Sequence, residues 1–286
     1  METHAFPHLG QMNVAEITTR DVVDALRPIW HEKKEAGRRV RQRLRELFKW
    51  AIAMDYRTAA NPADAVDAIL GSQNRVVTNQ PALPYKRIPE LMLKLLAWPG
   101  LDQTKLAFEW LVLTAVRSKE VRRATWSEVD TEEWVWTISK SRMKTRREAH
   151  LVPLPKRCQE IYKECRERWP HQTYIFMGHV AGKPLSENAL NNVLKKIGLA
   201  TELKIGTNGD AEQVRLAVAH GMRSTHRDWA AEVGRVRFEV AEANLSHKVG
   251  DAATQAYHRA KYIEERRQVM EQWAQYCSHG SERSQA

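Results

Sequence analysis

His220-Gly-Met-Arg223, running on through Trp229-Ala-Ala-Glu232, sets an imidazole and a guanidinium three residues apart, on one face if the segment is helical. Well upstream, Arg117-Ser-Lys-Glu120 repeats that spacing with an arginine and a glutamate. Downstream, His247 in Leu245-Ser-His247 is followed ten residues later by Tyr257 in Ala256-Tyr257-His-Arg259. Between the first two stretches lies a basic turn crowded with Arg142, Lys144, Arg146 and Arg147. Each of these alone describes an ordinary surface helix pair or a solvated turn. Taken in order, they supply a tyrosine hydroxyl, two guanidiniums, a lysine and two histidines. A guanidinium fork matches phosphate oxygens and stays charged at any working pH. Lysine and histidine carry protons. A phenol, with a pKa of about 10, is a poor nucleophile until such groups surround it. The set is suited to breaking and rejoining a phosphodiester without a metal ion. Tyr262 is a rival to Tyr257. It lies five residues on, out of helical phase, so both cannot easily face one phosphate.

Around these motifs the pattern is mainly helical. Thr18 or Thr19 can cap a helix from Arg20, with Val22, Val23, Leu26 and Ile29 on its apolar side. A second helix is expected from Glu35 to Met54, where Val40, Leu44, Leu47, Phe48 and Ala51 recur at helical steps. Arg38, Arg39, Arg41, Arg43 and Arg45 interleave with that stripe, so one face packs while another meets solvent or phosphate. Asn61-Pro62 breaks the chain and can open a short helix to Leu70. Residues 71–84, with Gly71, Ser72, Gln73, Asn79, Pro81 and Pro84, read as a linker. A helix follows from Ile88 to Trp98 and another from Thr104 to Val116. Trp134, Trp136 and Ile138 then alternate with Val135, Thr137 and Ser139 as a strand, and Leu151-Val-Pro-Leu154 makes a second. The basic turn from Ser141 to Glu148 would join them as a hairpin. The remainder reads as helical, with loops at Gly178–Pro184 and Gly206–Asp210.

The chain has 286 residues and carries 45 Lys and Arg against 35 Asp and Glu, a net charge of +10. That surplus favours a polyanionic partner. No apolar run approaches the roughly 18 residues of a membrane helix, and no secretory signal pattern opens the chain. Cys158, Cys165 and Cys277 are odd in number and form no CxxC pair, which fits reduced thiols of a cytosolic protein. Gly178-His-Val-Ala-Gly182-Lys183-Pro184 is no phosphate loop, because its glycine spacing is wrong and Pro stands where Ser or Thr is needed.

Thr114-Ala-Val-Arg117-Ser-Lys-Glu120 resembles the first box of the tyrosine recombinases of the phage integrase type, the integrases of prophages and genomic islands. Met143-Lys144 with His150-Leu-Val-Pro-Leu154 is similar to their hairpin lysine and the strand after it. His220-Gly-Met-Arg223 through Glu232 resembles the second box. Leu245-Ser-His247, Ala256-Tyr257-His-Arg259, Glu265-Arg-Arg267 and Met270 to Trp273 resemble the C-terminal segment. Phe6-Pro-His-Leu-Gly10, Ile17-Thr18, Leu26-Arg-Pro-Ile-Trp30 and Asn61-Pro62 look like the helical core-binding domain of these proteins.

The resemblance implies a mainly α fold. Residues 1–70 would form a helical core-binding domain, 71–84 the linker, and 85–286 an α-rich catalytic domain with a small antiparallel sheet. It implies that Tyr257 forms a 3′-phosphotyrosyl link with DNA, while Arg117, Arg223 and His247 stabilise the pentacoordinate phosphorus. Lys144 would be the acid for the 5′ hydroxyl, His220 would assist proton transfer, and Glu120 would orient Arg117 or a neighbouring donor. Arg38, Arg39, Arg41, Arg43, Arg142 and Arg146 are the expected DNA contacts. The implied partner is double-stranded DNA at attachment core sites, bound by a tetramer on two paired sites; without DNA the protein would be a monomer. No metal or nucleotide cofactor is implied, and the place of action is the bacterial cytoplasm.

Three departures stand out. Ala115 replaces a common glycine, a change that a helix would tolerate. The turn Thr145-Arg-Arg-Glu-Ala149 is one residue longer than usual. The chain begins almost directly on the core-binding segment, as if an N-terminal arm-binding domain were missing. The rivals are an integrase remnant that binds DNA without cutting it and a type IB topoisomerase-like enzyme. A helical RNA-binding protein would explain the charge but not the motifs.

Overall fold

The computed structural model describes residues 1–73, 80–143, 148–178, 180, 182–205, 211–247 and 262–282. The chain divides into two compact units, Met1–Thr78 and Asn79–Ala286. The fold is mainly α, with small antiparallel sheets.

The first unit holds α1 (Phe6–Leu9), α2 (Thr19–Trp30), α3 (Lys34–Ala53) and α4 (Val66–Leu70). Thr18 caps α2 in a reciprocal box: its backbone N–H donates to Asp21 Oδ2 at 2.8 Å, and the Asp21 N–H donates to Thr18 Oγ1 at 3.3 Å. Val22, Leu26, Ile29 and Trp30 of α2 are buried with Val40, Leu44 and Phe48 of α3. A buried cation, Arg57, completes this small core. Its guanidinium donates to the carbonyls of Val14, Ala15, Ile17, Ala59 and Ala60 at 2.9–3.2 Å and lies over the Phe48 ring. It ties the approach to α2 to the loop after α3.

The second unit is built around α6 (Asp102–Thr114), preceded by α5 (Ile88–Ala97) and followed by the short α7 (Ser118–Arg122). Ala107, Phe108, Trp110, Leu111 and Val112 of α6 are all fully buried, so this helix is enclosed around its circumference, with the buried Glu109 paired to Arg157. Against it pack α8 (Lys156–Arg168), α9 (Ala189–Lys196), α10 (Met222–Glu232) and the long C-terminal α12 (Ile263–Glu282), with α11 (Phe238–Asn244) set between α10 and α12. Trp273 of α12 is fully buried and donates its indole N–H to Val112 O at 2.8 Å.

The sheet beside them runs β1 (Val129–Asp130), β2 (Val135–Ile138) and β3 (His150–Pro153), all antiparallel. Trp136 pairs with Val152, and Ile138 with His150. Trp136 and Ile138 are buried while Thr137 is exposed, the alternation that the sequence shows. The third strand, β1, is an addition to the expected hairpin. So is a second sheet, in which β4 (Thr201–Ile205) pairs with β5 (Ala211–Arg215) where the sequence reads as helix and loop. Leu203 on β4 is 72% exposed. Thr201-Glu-Leu-Lys-Ile205 does alternate polar with apolar residues, but the run is short and, with Leu203 exposed, the alternation marks no buried face.

Candidate active site

Arg117 stands at the start of α7, immediately after α6. Both oxygens of Glu120 serve it: Oε2 accepts the Arg117 backbone N–H at 2.8 Å, and Oε1 accepts its guanidinium at 3.1 Å. The Glu120 side chain is 3% exposed and that of Arg117 is 19% exposed. The carboxylate is therefore enclosed and the guanidinium reaches outward from it.

Between α6 and Arg117 the chain turns through Ala115 at φ +50°. The expectation of a glycine-to-alanine change tolerated within a helix is corrected here. α6 ends at Thr114, and Ala115 occupies the left-handed region, where an L side chain is strained and glycine is not. That turn aims the Ala115 carbonyl at the second arginine. Arg223 donates one nitrogen to Ala115 O at 2.8 Å and the other to Leu245 O and to His247 Nε2, the last at 3.1 Å. Arg223 is 4% exposed. Burial, reinforced by the neighbouring positive charge of Arg117, brings its pKa down to about 10, which still leaves it a cation at neutral pH.

His247 follows α11. Its Nδ1 faces Glu242 Oε2 at 2.8 Å. A carboxylate can only accept, so Nδ1 carries the proton and Nε2 is the acceptor for Arg223. The imidazole is thus neutral in this arrangement, in line with a pKa below the ordinary value, where burial outweighs the hydrogen bond to Glu242. Glu242 is itself buried and also accepts from Arg227 Nε at 2.6 Å. The sequence reading missed Glu242. Its signal is an acid one helical turn and a step before the histidine, visible only once the end of α11 is known.

His220 lies on a 3-10 turn, Ala219–Gly221, that leads into α10. It is exposed where Arg223 is buried, so the spacing of three does not give the two side chains one environment. Gly221 has an ordinary helical φ of −64°. Its role is space, because a Cβ there would meet Pro81 O well inside 3.0 Å and Ala82 Cα at 2.9 Å. Residues 81–83 lie across this turn. Val218 N–H donates to Pro81 O at 3.1 Å, and Thr225 Oγ1 donates to Leu83 O at 2.6 Å.

The structure therefore forms two hydrogen-bonded pairs, Arg117 with Glu120 and Arg223 with His247, close enough for the charge of Arg117 to act on Arg223, and sets His220 on the turn before Arg223. Lys144, Arg146 and Tyr257 lie outside the described residues. Tyr262 is described: Arg237 stacks over its ring at 5.4 Å from the centroid.

The arginines expected to meet DNA divide by what they already hold. Arg142 is drawn inward, donating to Glu120 O at 2.7 Å and forming an ion pair with Glu128. Arg41 pairs with Asp67 at 2.6 Å and also donates to the Ala63 and Asp64 carbonyls, which pins the segment before α4 onto α3. Arg38 and Arg39 make exposed pairs with Glu35, a kind of contact that a phosphate displaces at little cost. Arg43 makes no ion pair among the described residues and is exposed. Also among them, no cluster of three or more His, Cys, Asp or Glu side chains is placed to hold a metal ion, and no helix is long and apolar enough to cross a membrane.

Two family descriptions match this arrangement: the phage integrase central domain over residues 1–68, and the phage integrase family over residues 85–264. This chain belongs to the phage integrase family. By family it is a tyrosine-type site-specific recombinase. It is 31% identical to the putative protein IntB of Escherichia coli K12 over 99% of this chain and 71% of that protein. It is 27% identical to the integrase of Enterobacteria phage P4, covering 96% of this chain but 63% of the phage protein. Among solved structures, a lambda integrase dimer bound to a COC′ core site shares the fold, with a TM-score of 0.60 at 19% identity over 91% of this chain and 86% of that one.

Proposed function

We propose that this chain cuts and rejoins double-stranded DNA at a specific core site, as the catalytic part of an integrase for a mobile element. The observation that carries this reading is the hydrogen-bonded set Glu120–Arg117, Ala115–Arg223–His247 and Glu242. It presents two guanidiniums, one of them buried, whose charge suits a phosphodiester.

In the proposed step the Tyr257 hydroxyl attacks phosphorus, the bond to the 5′ oxygen breaks, and a 3′-phosphotyrosyl ester forms. Lys144 protonates the departing 5′ oxygen, and His220 assists proton transfer. Charge building on the non-bridging oxygens is met by Arg117 and Arg223, which are already in place and need no reorganisation. His247 contributes once it takes up a proton at Nε2 and donates it to a phosphate oxygen instead of accepting from Arg223. The ester conserves the bond energy, so a 5′ hydroxyl from another strand can reverse the step without a nucleotide. Exchange between two duplexes breaks four strands and uses one tyrosine at each, which calls for a tetramer. Arg38, Arg39 and Arg43, together with Arg146, would bind backbone phosphates in the bacterial cytoplasm. Arg41 and Arg142 would act mainly by holding their loops.

The test is covalent capture. The protein is incubated with nicked suicide duplexes of randomised core sequence, and the adducts are isolated and sequenced. Wild type and Tyr262→Phe should form an adduct on a defined sequence, and Tyr257→Phe should not. Duplex binding without an adduct would instead identify an integrase remnant. Adducts without sequence preference, together with relaxation of supercoiled plasmid, would identify a topoisomerase-like enzyme. Capture should persist in excess chelator, since the guanidiniums do the neutralising that metal ions do elsewhere.

A further inference from the structure

Arg266, in the first turn of α12, is 3% exposed. Its Nε–H donates to Asn244 Oδ1 at 2.9 Å. One terminal nitrogen donates to Leu151 O at 2.6 Å and faces His150 Nε2 at 3.2 Å. Asn244 in turn faces His226 Nε2 at 3.5 Å through its amide nitrogen. Directions follow from chemistry: a guanidinium only donates, so Asn244 Oδ1 and His150 Nε2 accept. Asn244 Nδ2 then donates to His226. Both histidines must be neutral for these contacts to stand, and both are buried.

The elements joined here are those that carry the proposed chemistry. Asn244 ends α11, next to Leu245, whose carbonyl accepts from Arg223, and three residues before His247. His226 lies on α10, three residues after Arg223. His150 opens β3, six residues after Lys144. Arg266 itself comes nine residues after Tyr257. The Arg266 guanidinium is the point at which α10, the end of α11, β3 and α12 are bonded together.

We propose that Arg266 is a positioning residue for strand cleavage, acting through Asn244 on His247 and Arg223, and through His150 and Leu151 on the strand that follows Lys144. This rests on the recombinase reading above. Its charge has a second effect. Burial, reinforced by the positive charges of Arg266 on α12, Arg223 on α10 and Arg117 at the start of α7, holds the His150 pKa well below the ordinary value against an opposing hydrogen bond with the Ala243 backbone. Removing Arg266 relaxes one of the three.

The experiment measures single-turnover adduct formation on the suicide duplex captured by wild type, from pH 5.5 to 8.5. Duplex binding and thermal unfolding are measured beside it. Arg266→Lys keeps the charge and loses the fork; Arg266→Met loses both. Each should slow adduct formation by roughly 10–100-fold, the scale for loss of a group that orients a functional side chain, with duplex affinity within about twofold. Arg266→Met alone should move the acid limb of the rate profile to higher pH, as His150 becomes easier to protonate. A folded Arg266→Lys or Arg266→Met protein with the wild-type rate and profile would overturn the proposal. If neither variant folds, Asn244→Ala takes their place, and a folded Asn244→Ala protein at the wild-type rate would overturn it equally. Failure of wild type itself to form an adduct would defeat the recombinase reading and this inference with it.

Discussion

Alanine at position 221 separates two effects of opposite sign. Gly221 has φ −64° and ψ −22°, a conformation open to alanine, which has less backbone freedom to lose on folding by about 0.4–1 kcal/mol. Chain entropy alone therefore predicts a stabilising substitution. The added Cβ, however, would crowd Pro81 O far inside contact distance and lie 2.9 Å from both Ala82 Cα and the Pro81 carbonyl carbon. These are backbone atoms, which cannot swing aside. Relief requires the segment 81–83 to lift, which stretches Val218 N–H to Pro81 O and Thr225 Oγ1 to Leu83 O. Each such hydrogen bond is worth about 0.5–1.5 kcal/mol, and overpacking a tight site costs about 1–3 kcal/mol. The crowding wins, and Gly221→Ala should destabilise the second unit by roughly 2–4 kcal/mol. Denaturant unfolding followed by tryptophan fluorescence reads this directly. Because His220 precedes the site and Arg223 follows it, adduct formation should fall as well. An unfolding midpoint equal to or above wild type would refute the steric account and leave only chain entropy.

Other changes test separate parts of the structure. Ala115→Gly should stabilise by about 0.5–1 kcal/mol, since relief of left-handed strain of about 1–2 kcal/mol exceeds the entropy that glycine adds to the unfolded chain; a loss of stability in denaturant melts would show that Ala115 carries no strain. Arg57→Met leaves five carbonyls without their donor, that of Ile17 buried and the other four partly so, and should cost roughly 1.5–3 kcal/mol, enough to open a unit of this size to protease, whereas wild-type resistance of residues 1–73 to limited proteolysis would show the contacts to be dispensable. Stability should fall as the pH drops from 6.5 toward about 3, because the unfolded chain takes up a proton at His226 that burial and Arg223 exclude from the fold. That one group contributes at most about 1.4 kcal/mol per pH unit, and His226→Phe should flatten the slope; equal slopes would mean that the folded protein protonates His226.

What could be read from the sequence followed strong periodicity and what could not followed tertiary context. The helix over Lys34–Ala53 and the alternation of β2 are legible because burial repeats along them at 3.6 and at two residues. The hairpin β4–β5 is not, because the brief alternation of Thr201–Ile205 marks no buried face, Leu203 being exposed. At the site, Arg117, Glu120, Arg223 and His247 were found from residue type and spacing. Glu242, Asn244, His150 and Arg266 were not assigned roles, since an acid, an amide or a cation acquires its meaning from what it faces across the fold. Ala115 shows the same limit in the backbone: sequence places it beside a helix, and only the structure shows the left-handed turn that aims its carbonyl at Arg223.

The arginines of this chain can be sorted by the charge of what they hold. Arg142 and Arg41 each pair with a carboxylate, so each is largely neutralised where it stands. Arg57, Arg223 and Arg266 instead hold carbonyls, an amide or an imidazole in their described contacts. Carbonyls fix a guanidinium's direction and leave its charge to more distant carboxylates, Glu120 and Glu242 for Arg223, and burial makes that charge costly. For Arg57 the return is a folded small unit. For Arg223 no such structural need is evident, since two carbonyls could be satisfied by neutral donors. A desolvated cation beside a second arginine is repulsive in the free protein and becomes favourable when an anion arrives between them. The energy that holds Arg223 in place against burial and Arg117 is therefore available to a phosphate, and most of all to one that gains negative charge as the tyrosine attacks.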